Sequence, residues 1–131
     1  MLSELLIDAY NAERTQAAYY RALSVCADDA GNEDDVEALN GLVADEQHHL
    51  SRLKNRMVEL GITVPQVATH ADSADYADWR TFARQREQAE IARYEQMLRT
   101  DLDAGTAAII RSILETERLH EANLGGKYTE A

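Results

Sequence analysis

Two short stretches of this chain offer the same donors for a metal ion. Glu46-Gln47-His48-His49 and Glu117-Arg118-Leu119-His120 each set a carboxylate three residues before a histidine, about one helical turn apart. Carboxylate oxygen with imidazole nitrogen is a donor set suited to iron or manganese. Two further carboxylates, Glu13 and Glu87, are each followed seven residues later by a tyrosine, Tyr20 and Tyr94, two turns along one face. Glu90 adds another acid one turn after Glu87, whereas the equivalent position after Glu13 is the neutral Gln16. The chain therefore repeats itself: 13–20 aligns with 87–94, and 46–49 aligns with 117–120.

Helices must position these groups. Breakers are few and clustered, at Ala30-Gly31-Asn32, Gly61 through Asp72, Asp103-Ala104-Gly105 and Gly125-Gly126. The segments between them are rich in Ala, Leu, Glu, Arg and Gln, all good helix formers, and none alternates with period two. The pattern predicts helices over about 3–28, 33–60, 74–102 and 106–124. Ser3, Asn32, Ser73 and Thr106 (or Asp103) are the N-cap candidates, and Gly61 and Gly125 stand where C-terminal caps belong. The first and third connections are short, which makes antiparallel hairpins of helices 1/2 and 3/4. The middle connection, about a dozen residues with the only proline, Pro65, is long enough to run the length of a bundle. The expected fold is an all-α, ferritin-like four-helix bundle, two hairpins joined by a long crossover, filling residues 1–131 as one domain.

Apolar stripes traced at helical spacing carry the argument further. They read Leu6, Tyr10, Glu13, Ala17, Tyr20; then Leu39, Val43, Glu46, His49, Leu53, Met57; then Trp79, Ala83, Glu87, Glu90, Tyr94, Leu98; and Ile110, Ile113, Glu117, His120, Leu124. A single Glu on such a stripe is ordinarily a boundary residue whose head reaches water, and a lone His is ordinarily a hydrogen-bonded core or surface group. Five carboxylates on four core faces are different. Uncompensated, each would cost several kcal/mol against a domain stability of about 5–15 kcal/mol. No Lys or Arg lies on the stripes at that level, so a pair of divalent metal ions is the expected counter-charge. Asp45-x-x-His48 has similar spacing, but its face (Gly41, Asp45, His48, Arg52) is polar and reads as solvent-exposed. His70 falls in the crossover, and Glu115 and Glu121 fall off the stripe or at its margin.

Composition narrows the class. The 131 residues carry 13 Lys+Arg against 24 Asp+Glu, a formal charge of −11, which argues against a nucleic-acid binder. Placing five carboxylates inside removes almost half of that excess from the surface. The single cysteine, Cys26, excludes an intrachain disulfide framework and a Cys-based zinc site. Residues Met1–Leu6 lack the basic start and apolar run of a signal peptide, and no stretch is apolar enough to span a membrane, so a cytoplasmic location is expected.

The order Glu13, Glu46-x-x-His49, Glu87-x-x-Glu90, Glu117-x-x-His120 over four helices resembles the di-iron domain of rubrerythrins, within the ferritin-like superfamily. The second carboxylate of helix 3 points to rubrerythrins rather than to ferritins proper. The resemblance implies that Glu13 and Glu87 are the ligands of the first and third helices. It implies that Glu46 and Glu117 bridge two irons, with His49 and His120 as the histidine ligands. Glu90 resembles the family's extra carboxylate, which exchanges with the histidine of helix 2 as one iron shifts. Tyr20 and Tyr94 are candidate hydrogen-bond donors to the ligand carboxylates, with core packing the alternative role for each. Typical rubrerythrins also carry a rubredoxin domain with four cysteines. This chain has only Cys26, so a peroxidase cycle would need an external electron donor protein.

The expected activity is that of a di-iron oxidoreductase reducing hydrogen peroxide or O2 with oxidation of Fe(II), a ferroxidase or peroxidase. Two iron ions are the expected cofactor, with manganese the alternative metal, and a homodimer is the expected assembly. An oxygenase acting on an organic substrate is the second reading and would need an apolar pocket beside the metals. Iron storage or a role as cargo of a larger shell is the third, with 127–131 as a docking tail or a frayed terminus.

Overall fold

Helix-forming composition between few breakers yields four helices and, among the described residues, no strand. The computed structural model describes residues 2–66 and 74–125, and its helices are α1 (Leu2–Asp29), α2 (Glu33–Glu59), α3 (Trp79–Leu98) and α4 (Ala104–Leu124). The chain divides into two compact units, Met1–Ala77 and Asp78–Ala131, each built on one helical hairpin. In the first, α1 packs on α2; in the second, α3 packs on α4. No helix among the described residues is long and apolar enough to cross a membrane.

The first hairpin turns on a glycine. Gly31 takes φ +71°, Asn32 N donates to Ala27 O at 3.0 Å and Gly31 N to Asp28 O at 3.0 Å, the double bond pattern that closes a helix through a left-handed residue. Asn32 then caps α2, its Oδ1 accepting from Asp35 N at 3.0 Å. The end of α2 repeats the device with Gly61 at φ +72°, as Ile62 N donates to Met57 O at 2.8 Å and Gly61 N to Val58 O at 3.1 Å. Past Leu60 the chain returns to the opposite end of the same helix: the Tyr76 hydroxyl donates to Asp35 Oδ2 at 2.8 Å, in the first turn of α2. Since α2 is about 40 Å long, residues 61 and 76 mark its two ends.

The second hairpin departs from expectation at three of its boundaries. α3 begins at Trp79 rather than at 74, because Asp75 Oδ1 accepts from Ala77 N at 3.1 Å, a local turn that competes with helix. Asp78 takes the N-cap position without a side-chain bond, and Ser73, the expected cap, lies outside the described residues. α3 ends at Leu98 rather than 102, where the Thr100 hydroxyl donates to Met97 O at 2.6 Å and takes the acceptor that a further turn would use. Asp103 is the cap of α4, accepting from Thr106 N at 3.0 Å, so that helix starts two residues before 106. In the first hairpin Ser3 lies inside α1, which already begins at Leu2. Gly125 ends α4 in a right-handed conformation, its place kept small by the Arg84 guanidinium 3.1 Å from where a Cβ would stand.

Within α1 and α2, Leu6, Ala9, Leu23, Leu39, Leu53 and Met57 are fully buried; within α3 and α4 the same holds for Ala83, Ile110 and Ile113. Three expected core positions shift by one residue. Tyr10, Val43 and Leu98 are only half-buried, while the adjacent Ala9, Leu42 and Met97 are inside. Arg14 lies over the Tyr10 ring, 5.7 Å from its centroid, so Tyr10 serves as a partly exposed shelf for a cation.

Candidate metal centre

Each hairpin brings one carboxylate from its first helix against a Glu-x-x-His pair on its second. In α1–α2, Glu13 and Glu46 are fully buried and His49 nearly so. The His49 Nδ1 stands 3.2 Å from Glu13 Oε2 and 3.7 Å from Glu46 Oε1. In α3–α4 the equivalent trio is Glu87, Glu117 and His120, all buried, with His120 Nδ1 3.5 Å from Glu87 Oε1 and 3.5 Å from Glu117 Oε1. One donor atom from each of Glu13, Glu46 and His49 lies within 4.8 Å of the others, and the same is true of Glu87, Glu117 and His120.

Local sequence accounts for this convergence. The three-residue step from Glu46 to His49, or from Glu117 to His120, stacks the two side chains on one face of a helix. Glu13 and Glu87 sit on the facing stripes, flanked by apolar residues that carry them inward. Two carboxylates and an imidazole from two helices fit a divalent cation of the iron or manganese type: hard oxygens, one borderline nitrogen and two negative charges to match two positive ones. The buried location strengthens that match, since charges held out of water attract a cation more strongly.

The remaining candidates divide. Tyr20 and Tyr94 are fully buried, and Tyr20 Oη accepts from Gln16 Nε2 at 2.9 Å. Glu90 is buried, 7% exposed, but is not among the donors that meet within 4.8 Å. Its Oε2 lies 3.6 Å from Arg93 Nε. Arg93, one turn beyond Glu90 and outside the apolar stripe, reaches it from a side chain that is 41% exposed, a contact that the stripes alone did not indicate. The i to i+3 spacing was the signal that could have found it, as the i to i+4 spacing was for Gln16 and Tyr20. Asp45 and His48 are exposed, as their polar face required, and Glu115 is exposed as well. Glu121 pairs with Arg84. His70 and the tail 127–131 lie outside the described residues. Cys26 is a free, half-buried thiol.

At the Tyr76–Asp35 contact the ionisation of the phenol is displaced. Partial desolvation, then the hydrogen bond to the Asp35 carboxylate and its negative charge, raise the phenol above its ordinary 10.0.

No protein-family model matches the chain, nor does any curated protein or solved structure.

Proposed function

We propose that this chain is a di-iron oxidoreductase of the rubrerythrin kind, a ferritin-like four-helix bundle that reduces hydrogen peroxide or O2 as Fe(II) is oxidised. The observation that carries the proposal is the duplication: each hairpin independently buries the same Glu, Glu-x-x-His trio with its donor atoms within 4.8 Å. One such trio could be a hydrogen-bonded core histidine. Two, on equivalent positions of an internal repeat, call for two cations. The return of the chain from the end of α2 to its first turn at Tyr76 supports the crossover topology that this reading requires.

On this proposal Glu13, Glu46 and His49 hold one ion, and Glu87, Glu117 and His120 hold the other. Bound iron supplies two electrons, enough with two protons to turn one peroxide into two waters. The protein's own groups do the rest. The buried carboxylates and imidazoles keep the ions in place and keep bulk water out. Tyr20, whose oxygen accepts from Gln16, and Tyr94 bring one buried phenol from each hairpin as hydrogen-bonding groups for the ligand carboxylates. Cys26 alone cannot make a four-cysteine iron centre, so on this proposal the reducing electrons come from outside residues 1–131.

Anaerobic Fe(II) titration of the metal-free chain, followed by peroxide or O2, tests the proposal. Uptake of about two irons per chain is expected, with oxidation faster than that of free Fe(II). Uptake below about one iron per chain, or oxidation no faster than in buffer, would sink it. Mass in solution separates a homodimer from a storage shell, and substrate-dependent O2 consumption would favour an oxygenase.

A further inference from the structure

Positive charge is unevenly shared between the two hairpins. Residues 1–77 carry five Lys or Arg against 14 Asp or Glu, whereas residues 78–125 carry seven Arg against nine acids. Three of those nine, Glu87, Glu90 and Glu117, are buried, so outside its core the second hairpin has seven arginines against six acids. Three of the arginines, Arg99, Arg111 and Arg118, line one groove of about 560 Å³ between the end of α3 and the middle of α4. Its apolar lining is Leu98, half-buried, and Leu114, 4% exposed. Arg118 is engaged there, its Nη2 2.9 Å from Glu95 Oε2. Arg99 donates to Gln96 Oε1 at 3.1 Å through Nη1. Arg111 makes no hydrogen bond or ion pair among the described residues, although Glu115 follows one turn later.

We propose that this groove is a binding site for a small organic oxyanion, a carboxylate or phosphate carried on a compact apolar body. A guanidinium presents its donors in a planar fork that matches either head group. Arg99 and Arg111 come from different elements, so one bound head group would engage donors that the chain itself leaves to water. Leu98 and Leu114 give the body of the ligand an apolar surface to cover. The volume falls in the range of small-molecule sites, roughly 300–1,000 Å³. Glu95 offsets Arg118, and Glu115 opposes an anion, so Arg99 and Arg111 act against one carboxylate and binding is weakened by salt. The helical hairpin itself does not require arginine here. At the equivalent places of the internal repeat the first hairpin has Val25, Asn40 and Gln47, and Asn40 is taken up by Ser24 at 2.8 Å. The groove shares no residue with either metal trio and does not depend on the metal-centre reading.

The test is titration of the metal-free full chain with phenyl phosphate and, separately, with benzoate, followed by two-dimensional amide NMR at fixed ionic strength. Shifts that saturate and centre on residues 95–118 are expected with at least one probe, and the tighter of the two names the head group. Inorganic phosphate and acetate, which lack the apolar body, should bind more weakly than the matching probe. Arg99→Gln and Arg111→Gln should each weaken binding about two- to fivefold, the range of an exposed charge pair. Glu115→Gln should tighten it by a similar factor, a gain that damage to the fold cannot mimic. Arg80→Gln, about 20 Å from the groove along α3 and placed over the Trp79 ring, should change nothing. The site is overturned by the absence of saturable shifts with either probe at millimolar concentration, or by shifts centred elsewhere. Undiminished binding in Arg111→Gln, or bare anions that bind as tightly as the probes, overturns it as well. None of these results touches the metal-centre reading, which Fe(II) uptake decides.

Discussion

The two hairpins present the same trio of donors on different supports, and the contrast separates what the site needs from what surrounds it. In α1–α2 the histidine leans toward the first-helix carboxylate, 3.2 Å from Glu13 against 3.7 Å from Glu46. In α3–α4 it stands midway, 3.5 Å from each. The α1 side places a neutral Gln16–Tyr20 bond beside its trio, while the α3 side places the Glu90–Arg93 ion pair there. The closures differ too, a left-handed glycine at Gly31 against the Thr100 hydroxyl and the Asp103 cap. What is common is two carboxylates and an imidazole. That set answers to the chemistry, and the rest answers to local folding.

Metal is the strongest way to sharpen this comparison. At an Fe(II) or Mn(II) concentration about a hundredfold above Kd, each occupied half should add about 3 kcal/mol to the unfolding free energy, visible as a rise in Tm. Glu46→Gln should remove the share of the first hairpin and Glu117→Gln the share of the second. Each should at the same time stabilise the metal-free protein, because a buried carboxylate is replaced by a neutral amide. Equal losses would mark the halves as equivalent; metal uptake unaffected by either substitution would refute the assignment.

Core truncation comes next. Leu39→Ala in the first unit and Ile113→Ala in the second each empty a fully buried position and should cost about 2–5 kcal/mol. Chemical denaturation followed by tryptophan fluorescence reports the second unit, where the only tryptophan, Trp79, lies. Circular dichroism reports both. Coincident transitions in the Leu39→Ala variant would show that the two units unfold together, and separated transitions that they do not.

Helix ends should matter less. Asn32→Ala and Asp103→Ala each delete one side-chain cap, for about 1 kcal/mol. Gly31→Ala forces a side chain onto a φ of +71° and should cost about 1 kcal/mol, although the space around it is open.

The smallest effect is a pH dependence confined to the first unit. The phenol of Tyr76 has its pKa raised in the folded state, so the folded state favours the protonated form. Its contribution to stability is present below the ordinary value of 10.0 and is lost as pH rises through the raised one. Tyr76→Phe should flatten that alkaline decline, as followed by thermal melts from neutral to strongly basic pH.

Much of this was legible in residue spacing. The four helices, the Asn32 cap and the burial of Glu13, Glu46, His49, Glu87, Glu90, Glu117 and His120 all follow from a period of 3.6. The errors are of one kind. Tyr10, Val43 and Leu98 were placed inside by extending a stripe across whole turns, but 3.6 residues per turn lets such a stripe drift, and a one-residue neighbour takes the buried place. The early end assigned to α3 at its N-terminus has the same local character: helix propensity cannot register that Asp75 satisfies the Ala77 amide or that Tyr76 is engaged by Asp35, 41 residues away.

The sequence by itself determined which donors exist, on which helical faces they lie and that they come in two matching sets, because those properties follow from side-chain type and the fixed geometry of a helix. Only the tertiary structure decided which oxygens approach which imidazole, that Gln16 is bound to Tyr20, and that Glu90 comes within 3.6 Å of Arg93. Those choices depend on rotamers selected by packing between helices and on the balance of desolvation against ion pairing, and neither is written in spacing alone.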